Sequence, residues 1–369
     1  MVSELTIQRY KSILNQKIEL RNLNILIGQN GAGKSNLISL FRFLERLSDG
    51  QLSDYIFDAG GINNFLFGGY SVSKSFQVKI EFPIEENLSN LYEFRIDSNG
   101  DQYRFGLETV FFWDKAYPSP KWDHITTHGT ESNLKARSRN GGNYAKYIYD
   151  YIKDLKVYHF HDTSDNTDAK LPQDINDVYT FHREGKNIAP FLYYLRDNRP
   201  ETYQKIVDTV RLVYPKFNDF VLNESSTSKG KIVLAWSEKG MENIYTAKQI
   251  SDGTLRFICL ATALILEPSD ANSVPKTLII DEPELGLHPF AINILADLIK
   301  KASINRQLII ATQSVGLLNN FMPEDLIIVE REKDGSSVFS RKENKDFEVW
   351  LDDYSLGQLW ENNFLGGRP

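Results

Sequence analysis

The sequence predicts an α/β chain: a core of short strands buried on both faces, with an attached antiparallel β-subdomain, a mostly helical insert and no coiled coil. Three observations lead there. The apolar run 23–27 meets a glycine-rich turn, and Leu37, Ile38, Leu40, Phe41, Leu44 and Leu47 follow at helical spacing. The apolar run 277–280 ends in two carboxylates, and a helical pattern over 290–302 separates it from a third run, 307–311. Neither an internal repeat nor a sustained heptad interrupts the pattern, which removes a long coiled coil.

The 369 residues, at roughly 150 per domain, give two to three units. Their expected extents are a first lobe over 1–115, a largely helical insert over 116–225 and a second lobe over 226–369. The 22 Phe and 18 Tyr supply a substantial core and exclude wholesale disorder. A net charge of −7 argues against a strongly basic protein that coats nucleic acid. The single cysteine, Cys259, lies in an apolar run; it excludes an intrachain disulfide and a C-x-x-C zinc site and reads as a core residue. The first residues alternate polar and apolar with no signal-peptide core, and no window of about 18 residues is continuously apolar, so a cytoplasmic protein without a membrane contact is expected.

Along the chain, 5–10 and 17–20 read as short strands, 23–27 as a buried strand and 63–70 as a Gly/Phe loop. Residues 75–82 and 92–113 read as antiparallel strands with a turn signal at Asp97-Ser98-Asn99-Gly100. A polar loop is expected over 117–142, helices over 144–155 and 188–214, and a strand over 231–236. Ser251 opens a helix running to 266; a hairpin spans 325–341 around Lys333-Asp334-Gly335; an aromatic helix occupies 347–360.

Gly28-Gln29-Asn30-Gly31-Ala32-Gly33-Lys34-Ser35 fits G-x-x-x-x-G-K-[ST] between a strand and a helix, the context that gives the motif meaning. The glycines let successive N–H groups turn onto phosphate oxygens, and the helix N-terminus adds positive potential. Lys34 is expected to bridge β- and γ-phosphates, and the Ser35 hydroxyl to bind Mg²⁺. Leu278-Ile279-Ile280-Asp281-Glu282 supplies the complementary half: Asp281 for the Mg²⁺, Glu282 as acceptor of a proton from an attacking water.

These motifs together resemble the ABC-type ATPases of the SMC/RecF class, P-loop NTPases, over roughly 1–70 and 230–369. Leu5-Thr6-Ile7-Gln8-Arg9-Tyr10-Lys11-Ser12 and the run through Gly28–Asn36 look like that family's N-terminal segment. Ile250-Ser251-Asp252-Gly253-Thr254 stands where the family carries its signature motif, which implies that Ser251 and Gly253 contact ATP bound by a second copy in an ATP-sandwich homodimer or higher oligomer. Glu284-Leu285-Gly286-Leu287-His288-Pro289 resembles the D-loop region, and Gln313 in Ile309-Ile310-Ala311-Thr312-Gln313-Ser314 takes the switch position that usually holds histidine. Glutamine donates a hydrogen bond but does not titrate, so slow turnover is expected. By the same resemblance Asn30, Gly31, Gly33, Lys34, Ser35 and Asn36 hold the nucleotide, and Glu282, Lys34 and Gln313 act in hydrolysis to ADP and phosphate. Gln51 and Gln77 are candidates for the Q-loop.

More narrowly, S-D-G-T, D-E-P-E-x-G-L-H-P, A-T-Q-S, the stretch 354–360 and Gly366-Gly367-Arg368-Pro369 resemble compact relatives of the ATPase half of OLD-family proteins, which implies bacterial anti-phage defence with a separately encoded effector such as a nuclease. The rival reading is a RecF-like DNA-binding ATPase of repair or maintenance. Residues 115–156 carry eight Lys/Arg against four acids, with Tyr144, Tyr147 and Tyr151, which leaves room for a nucleic-acid contact beside the plainer reading of a solvated face. His159 and His161 at i, i+2 on a strand would need a third ligand such as His182 to hold a metal; structural histidines are the simpler reading. His288 belongs either to the D-loop or to a helix start, and Trp350, Leu351, Tyr354, Leu359 and Trp360 either pack on the core or dock a partner.

Overall fold

The computed structural model describes every residue except 126–128, 142, 161, 165, 226–227, 271–273, 344–346, 348–349, 351–352 and 368–369. Its core sheet has six strands in the order Ser337–Arg341, Leu326–Arg331, Leu23–Ile27, Gln307–Thr312, Thr277–Asp281 and Leu155–Tyr158. All neighbours are parallel except the outer hairpin. Leu23–Ile27 and Gln307–Thr312 are buried along their whole length, as strands covered on both faces must be.

Alternation divides these strands between two cores. Ile25, Ile27, Leu278, Ile280, Leu308 and Ile310 join one with the helices Asp252–Ile265 and Pro289–Ser303. Leu26, Ile279, Ile309 and Ala311 face the helix Lys34–Asp49 and a second sheet. That second sheet is antiparallel throughout: Ile13–Glu19, Glu4–Tyr10, Ser75–Glu85, Leu88–Asn99, Gln102–Asp114 and Lys121–His124. Aromatic side chains join it to the helix: Phe43 lies 5.5 Å from Phe76, 5.8 Å from Phe65 and stacks on Phe94 at 5.8 Å.

Several expectations need correction. The expected loop over 117–142 contains the strand Lys121–His124 and the helix Leu134–Arg139. The strand is an edge whose side chains are mostly exposed, so no apolar alternation announced it. The helix expected over 144–155 ends at Lys153, and Leu155–Tyr158 instead pairs in parallel with 277–280. The strand carrying His159 and His161 therefore stops at Tyr158; His161 lies outside the described residues. The helix expected over 188–214 is two, Ile188–Asn198 and Pro200–Val213, because Pro200 has no N–H to continue the first and Arg199 leaves the helical region at φ −139°. Lys231–Ile232 and Ala235–Glu238 belong to different small sheets. In the expected aromatic helix, 348–349 and 351–352 lie outside the described residues, and the described helix is Leu356–Glu361. Among the described residues no helix is long and apolar enough to cross a membrane.

The aromatic packing around Phe43 anchors the loop helix, so Phe43→Ala is expected to lower unfolding free energy by about 3–5 kcal/mol. Urea denaturation followed by far-UV circular dichroism checks this; a loss below about 1 kcal/mol would show that the two layers are held otherwise.

Candidate nucleotide-binding and hydrolysis site

Three parallel strands deliver the expected residues to one edge of the sheet. Leu23–Ile27 leads into the glycine turn, Thr277–Asp281 ends beside Glu282, and Gln307–Thr312 between them ends at Gln313. Register places Asp281 opposite Ala311 and Thr312 opposite Ile27. Ligands of open α/β sheets collect at such carboxyl ends.

Backbone approach shapes the turn. A Cβ on Gly28 would lie 2.1 Å from the Val329 carbonyl oxygen, and one on Gly33 (φ 122°) 2.2 Å from Ser337 Oγ, so neither position accepts a side chain. Ser337 Oγ donates to the Ala32 carbonyl at 2.5 Å and hydrogen-bonds Ser12 Oγ at 2.7 Å. Asn36 Nδ2 completes this relay by donating to Ser12 Oγ at 2.7 Å. The Asn36 side-chain amide is thus engaged behind the loop. Ser35 is exposed at the helix start.

The Lys34 side chain is folded under the loop, its Nζ donating to the Gly28 carbonyl at 2.5 Å and to the Gln29 carbonyl at 3.0 Å. Burial pushes its ammonium pKa down, while Glu282, Asp281 and Glu284 pull it back up. Glu282 stands in the left-handed region, φ 45°, with its N–H held by the Ala311 carbonyl at 2.8 Å. A non-glycine residue in that region costs about 1–3 kcal/mol and marks a constrained site. Gln313 Nε2 donates to Glu282 Oε1 at 2.7 Å and to Asn30 Oδ1 at 2.7 Å, so one amide joins the phosphate loop to the acidic strand end.

Sequence reasoning left Glu284 without a role. Its Oε1 accepts from Thr312 Oγ1 at 2.6 Å and from the Gln313 N–H at 3.4 Å, while Oε2 is buried without a hydrogen-bond partner. Burial pushes this carboxyl above the ordinary range, and the Glu282 charge adds to the rise. Arg331, also missed, donates to the Gly31 carbonyl at 2.9 Å. The Arg331 contact spans 300 residues of sequence and the Glu284 contacts 28 and 29, so neither leaves a local signal.

An ATP–Mg²⁺ complex fits this donor set. The loop presents glycines that no Cβ obstructs toward phosphate. The carboxylates of Glu282, Asp281 and Glu284, the last with an orphaned oxygen, act on the Lys34 ammonium, a charge balance that suits a divalent cation. Ser35 and Asp281 stand at the adjoining helix start and strand end.

The turn at Ser251–Thr254 packs against the loop that follows Glu282. Ser251 caps the helix Asp252–Ile265, its Oγ accepting from Thr254 N at 3.2 Å, and is exposed. A Cβ on Gly253 would lie 2.3 Å from the Gly286 carbonyl oxygen, so this turn and the loop after Glu282 pack backbone to backbone. Arg256 reinforces that junction through the Leu285 carbonyl and, at 2.8 Å, the Phe160 carbonyl. Asp252 Oδ1 accepts from Lys170 Nζ at 3.2 Å.

Several other features are engaged inside the fold, while Tyr147 of the basic stretch is exposed. Gln51 accepts from Arg46 at 2.7 Å and Gln77 donates to Glu93 at 2.5 Å. In the basic stretch, Lys115 pairs with Glu81, Arg137 with Asp123 and Lys156 with Glu45. Tyr144 stacks on Phe112 and Tyr151 on Phe82. His159 meets Arg42 at 3.3 Å and His182 meets Asp177 at 3.2 Å; among the described residues no group of three or more His, Cys, Asp or Glu is placed to hold a metal. His288 caps the helix Pro289–Ser303. Cys259 is buried, which pushes its thiol up to about 12 and leaves it inert. Leu359 and Trp360 are wholly buried, Trp350 and Tyr354 are exposed, and Leu351 lies outside the described residues.

The family model described as "AAA domain, putative AbiEii toxin, Type IV TA system" matches residues 23–319. No curated protein matches the chain. Among solved structures, an SMC head bound to the C-winged helix domain of ScpA is similar with TM-score 0.62 at 17% identity, covering 94% of this chain and 99% of that one. An SMC head with an extended coiled coil, bound to the C-terminal domain of ScpA derived from Pyrococcus furiosus, gives 0.59 at 16% identity over 95% and 98%. The SMC head domain from Thermotoga maritima gives 0.51 at 12% identity over 93% and 99%. The α/β ATPase-head fold expected from the sequence is therefore the fold of this chain.

The raised carboxyl of Glu284 makes a signed prediction. Below its ordinary 4.5 the group adds no cost; as pH rises from there the unfolded chain gives up this proton while the folded carboxyl keeps it, so stability falls until the pH has passed the raised folded value. Glu284→Gln retains an oxygen for Thr312 and removes the titration. Its melting temperature relative to the wild type is expected to rise between about pH 4 and about pH 8; a flat difference would show that folding does not perturb Glu284.

Proposed function

The chain belongs to the family of the AAA domain, putative AbiEii toxin, Type IV TA system, and we propose that it is an ATPase which closes as a homodimer around two ATP–Mg²⁺ and thereby controls a separate effector in bacterial anti-phage defence. The observation that carries the reading is the bridge from Asn30 through Gln313 to Glu282, which places a hydrogen-bond donor between the phosphate loop and the proton acceptor.

Catalysis follows from what the side chains do. The N–H groups of the loop and the N-terminus of the helix hold the β- and γ-phosphates. The Lys34 ammonium exchanges the Gly28 and Gln29 carbonyls for phosphate oxygens, so binding replaces contacts inside the loop. Ser35 and Asp281 would hold Mg²⁺, which supplies charge neutralisation on the phosphates. A carboxylate oxygen of Glu282 takes the proton from the attacking water while the Gln313 amide orients it. Because Gln313 does not titrate and is tied to Asn30 and Glu282, its release is part of each turnover, consistent with a slow enzyme.

The dimer supplies what one chain lacks. Ser251 and Gly253 serve the nucleotide of the partner, a role supported by the exposed helix tip and by the exposed Leu285 (48%) and Phe290 (53%) flanking the same loop. Each ATP favours closure only by its differential affinity for the closed pair, so opening on hydrolysis signals to the effector. The family description and the likeness to heads that bind ScpA support a role in which nucleotide state governs a protein partner.

Two measurements test this. Glu282→Gln with ATP is expected to sediment as a dimer at micromolar protein; a monomer, with no higher assembly beforehand, would remove the shared site. Lys34→Ala and Ser251→Arg should each lose about 100-fold or more in kcat/KM, while mixing the two should restore activity through one intact composite site. Failure of the mixture to recover would place Ser251 outside the active site.

A further inference from the structure

We propose that the segment 355–367 is a strap that positions the phosphate loop relative to the switch strand, a role that deepens the ATPase reading and rests on it. The 354–360 stretch and the glycine pair 366–367 carry no role in the site as described, yet they touch both of its sensing elements.

The first anchor is at the switch. Ser355 caps the helix Leu356–Glu361, and Gly357 faces the short helix Val315–Leu318 that follows Gln313 and Ser314. A Cβ on Gly357 would lie 2.4 Å from Val315 Cγ1 and 2.6 Å from Asn319 Oδ1, and its N–H donates to that oxygen at 2.7 Å. The second anchor turns the chain back. Trp360 is wholly buried, and its Nε1 donates to the Gly367 carbonyl at 2.7 Å. Asn363, Gly366 and Gly367 adopt positive φ (63°, 80° and 61°) to make the return.

The third anchor is behind the phosphate loop. Gly367 N donates to Glu330 Oε1 at 3.0 Å. A Cβ on Gly367 would lie 2.8 Å from Ile328 Cγ2 and 3.5 Å from Gly28 Cα, while Gly28 itself stands against the Val329 carbonyl. The residue after Glu330 is Arg331, which holds the Gly31 carbonyl. Loop and strap together enclose a cavity of about 330 Å³ between Asn30, Gly31, Arg331, Asn363 and Gly367. A shift of the loop on nucleotide binding therefore moves Arg331 and Glu330 against Gly367, and a shift at Gln313 moves Val315 against Gly357. Coupling of this kind is reciprocal: the strap changes nucleotide affinity by the factor with which nucleotide changes the strap.

Hydrogen exchange on the full-length, unliganded chain decides the matter. Gly367→Val introduces the clash with Ile328; Glu330→Ala, at an exposed position, removes one anchor without a folding burden. Both are expected to speed exchange in the segment 29–33, where the Ala32 N–H is held by the Gln29 carbonyl at 3.1 Å, by about 10-fold or more, with Glu330→Gln restoring wild-type protection. Val210→Ala, in the remote helix Pro200–Val213, lowers global stability and is expected to leave 29–33 unchanged. Added ATP should slow exchange over 355–367 in the wild type, and Glu330→Ala should weaken ATP binding about 5–50-fold. Unchanged protection at 29–33 in both strap variants, or equal loss in Val210→Ala, overturns the proposal. A wild type that binds no ATP would instead overturn the ATPase reading, while exchange in the unliganded variants would still judge the strap.

Discussion

The parallel pairing of Gln307–Thr312 between Leu23–Ile27 and Thr277–Asp281 is the constraint on which the remainder depends. None of the three segments carries both halves of the site. Pairing Asp281 with Ala311 and Thr312 with Ile27 puts an acidic strand end, a switch glutamine and a phosphate loop side by side. One-residue slippage would reverse every apolar side chain between the two cores, so burial fixes the register and the register fixes the chemistry.

Charge is managed at that edge by burial and by bridges of hydrogen bonds. Lys34 is partly desolvated and held by carbonyls of its own loop, and Glu284 is desolvated with one oxygen unpartnered. Both are costly to leave so, and both costs fall when a phosphate or a cation supplies the missing partner. A ligand of that character is therefore favoured by relief of internal frustration as well as by new contacts. The Gln313 amide ties the two sides of that edge together through its hydrogen bonds to Asn30 and Glu282.

The remaining architecture serves to hold this edge rigid from behind. The aromatic residues around Phe43 fasten the loop helix to the antiparallel sheet, and the Asn36, Ser12 and Ser337 relay fastens the loop to the hairpin. On the opposite core, Arg256 and the close contact of Gly253 with Gly286 fasten the turn at Ser251–Thr254 to the loop after Glu282.

Sequence alone determined the parts whose signals are local: the Gly28–Ser35 turn between an apolar strand and an amphipathic helix, the carboxylates after Ile280, the serine cap at 251 and the antiparallel strands within 75–82 and 92–113. Each rests on a short-range rule, of periodicity, capping or glycine spacing, that neighbouring residues obey by themselves. Only tertiary structure decided that Leu155–Tyr158 joins the core sheet, that the 188–214 helix breaks before Pro200, that Asn36 faces Ser12, and that Glu284, Arg331 and Gly367 stand around the loop. These follow from contacts between segments tens to hundreds of residues apart, where which partner is buried against which is set by packing of the whole chain and leaves no periodic trace in any one segment.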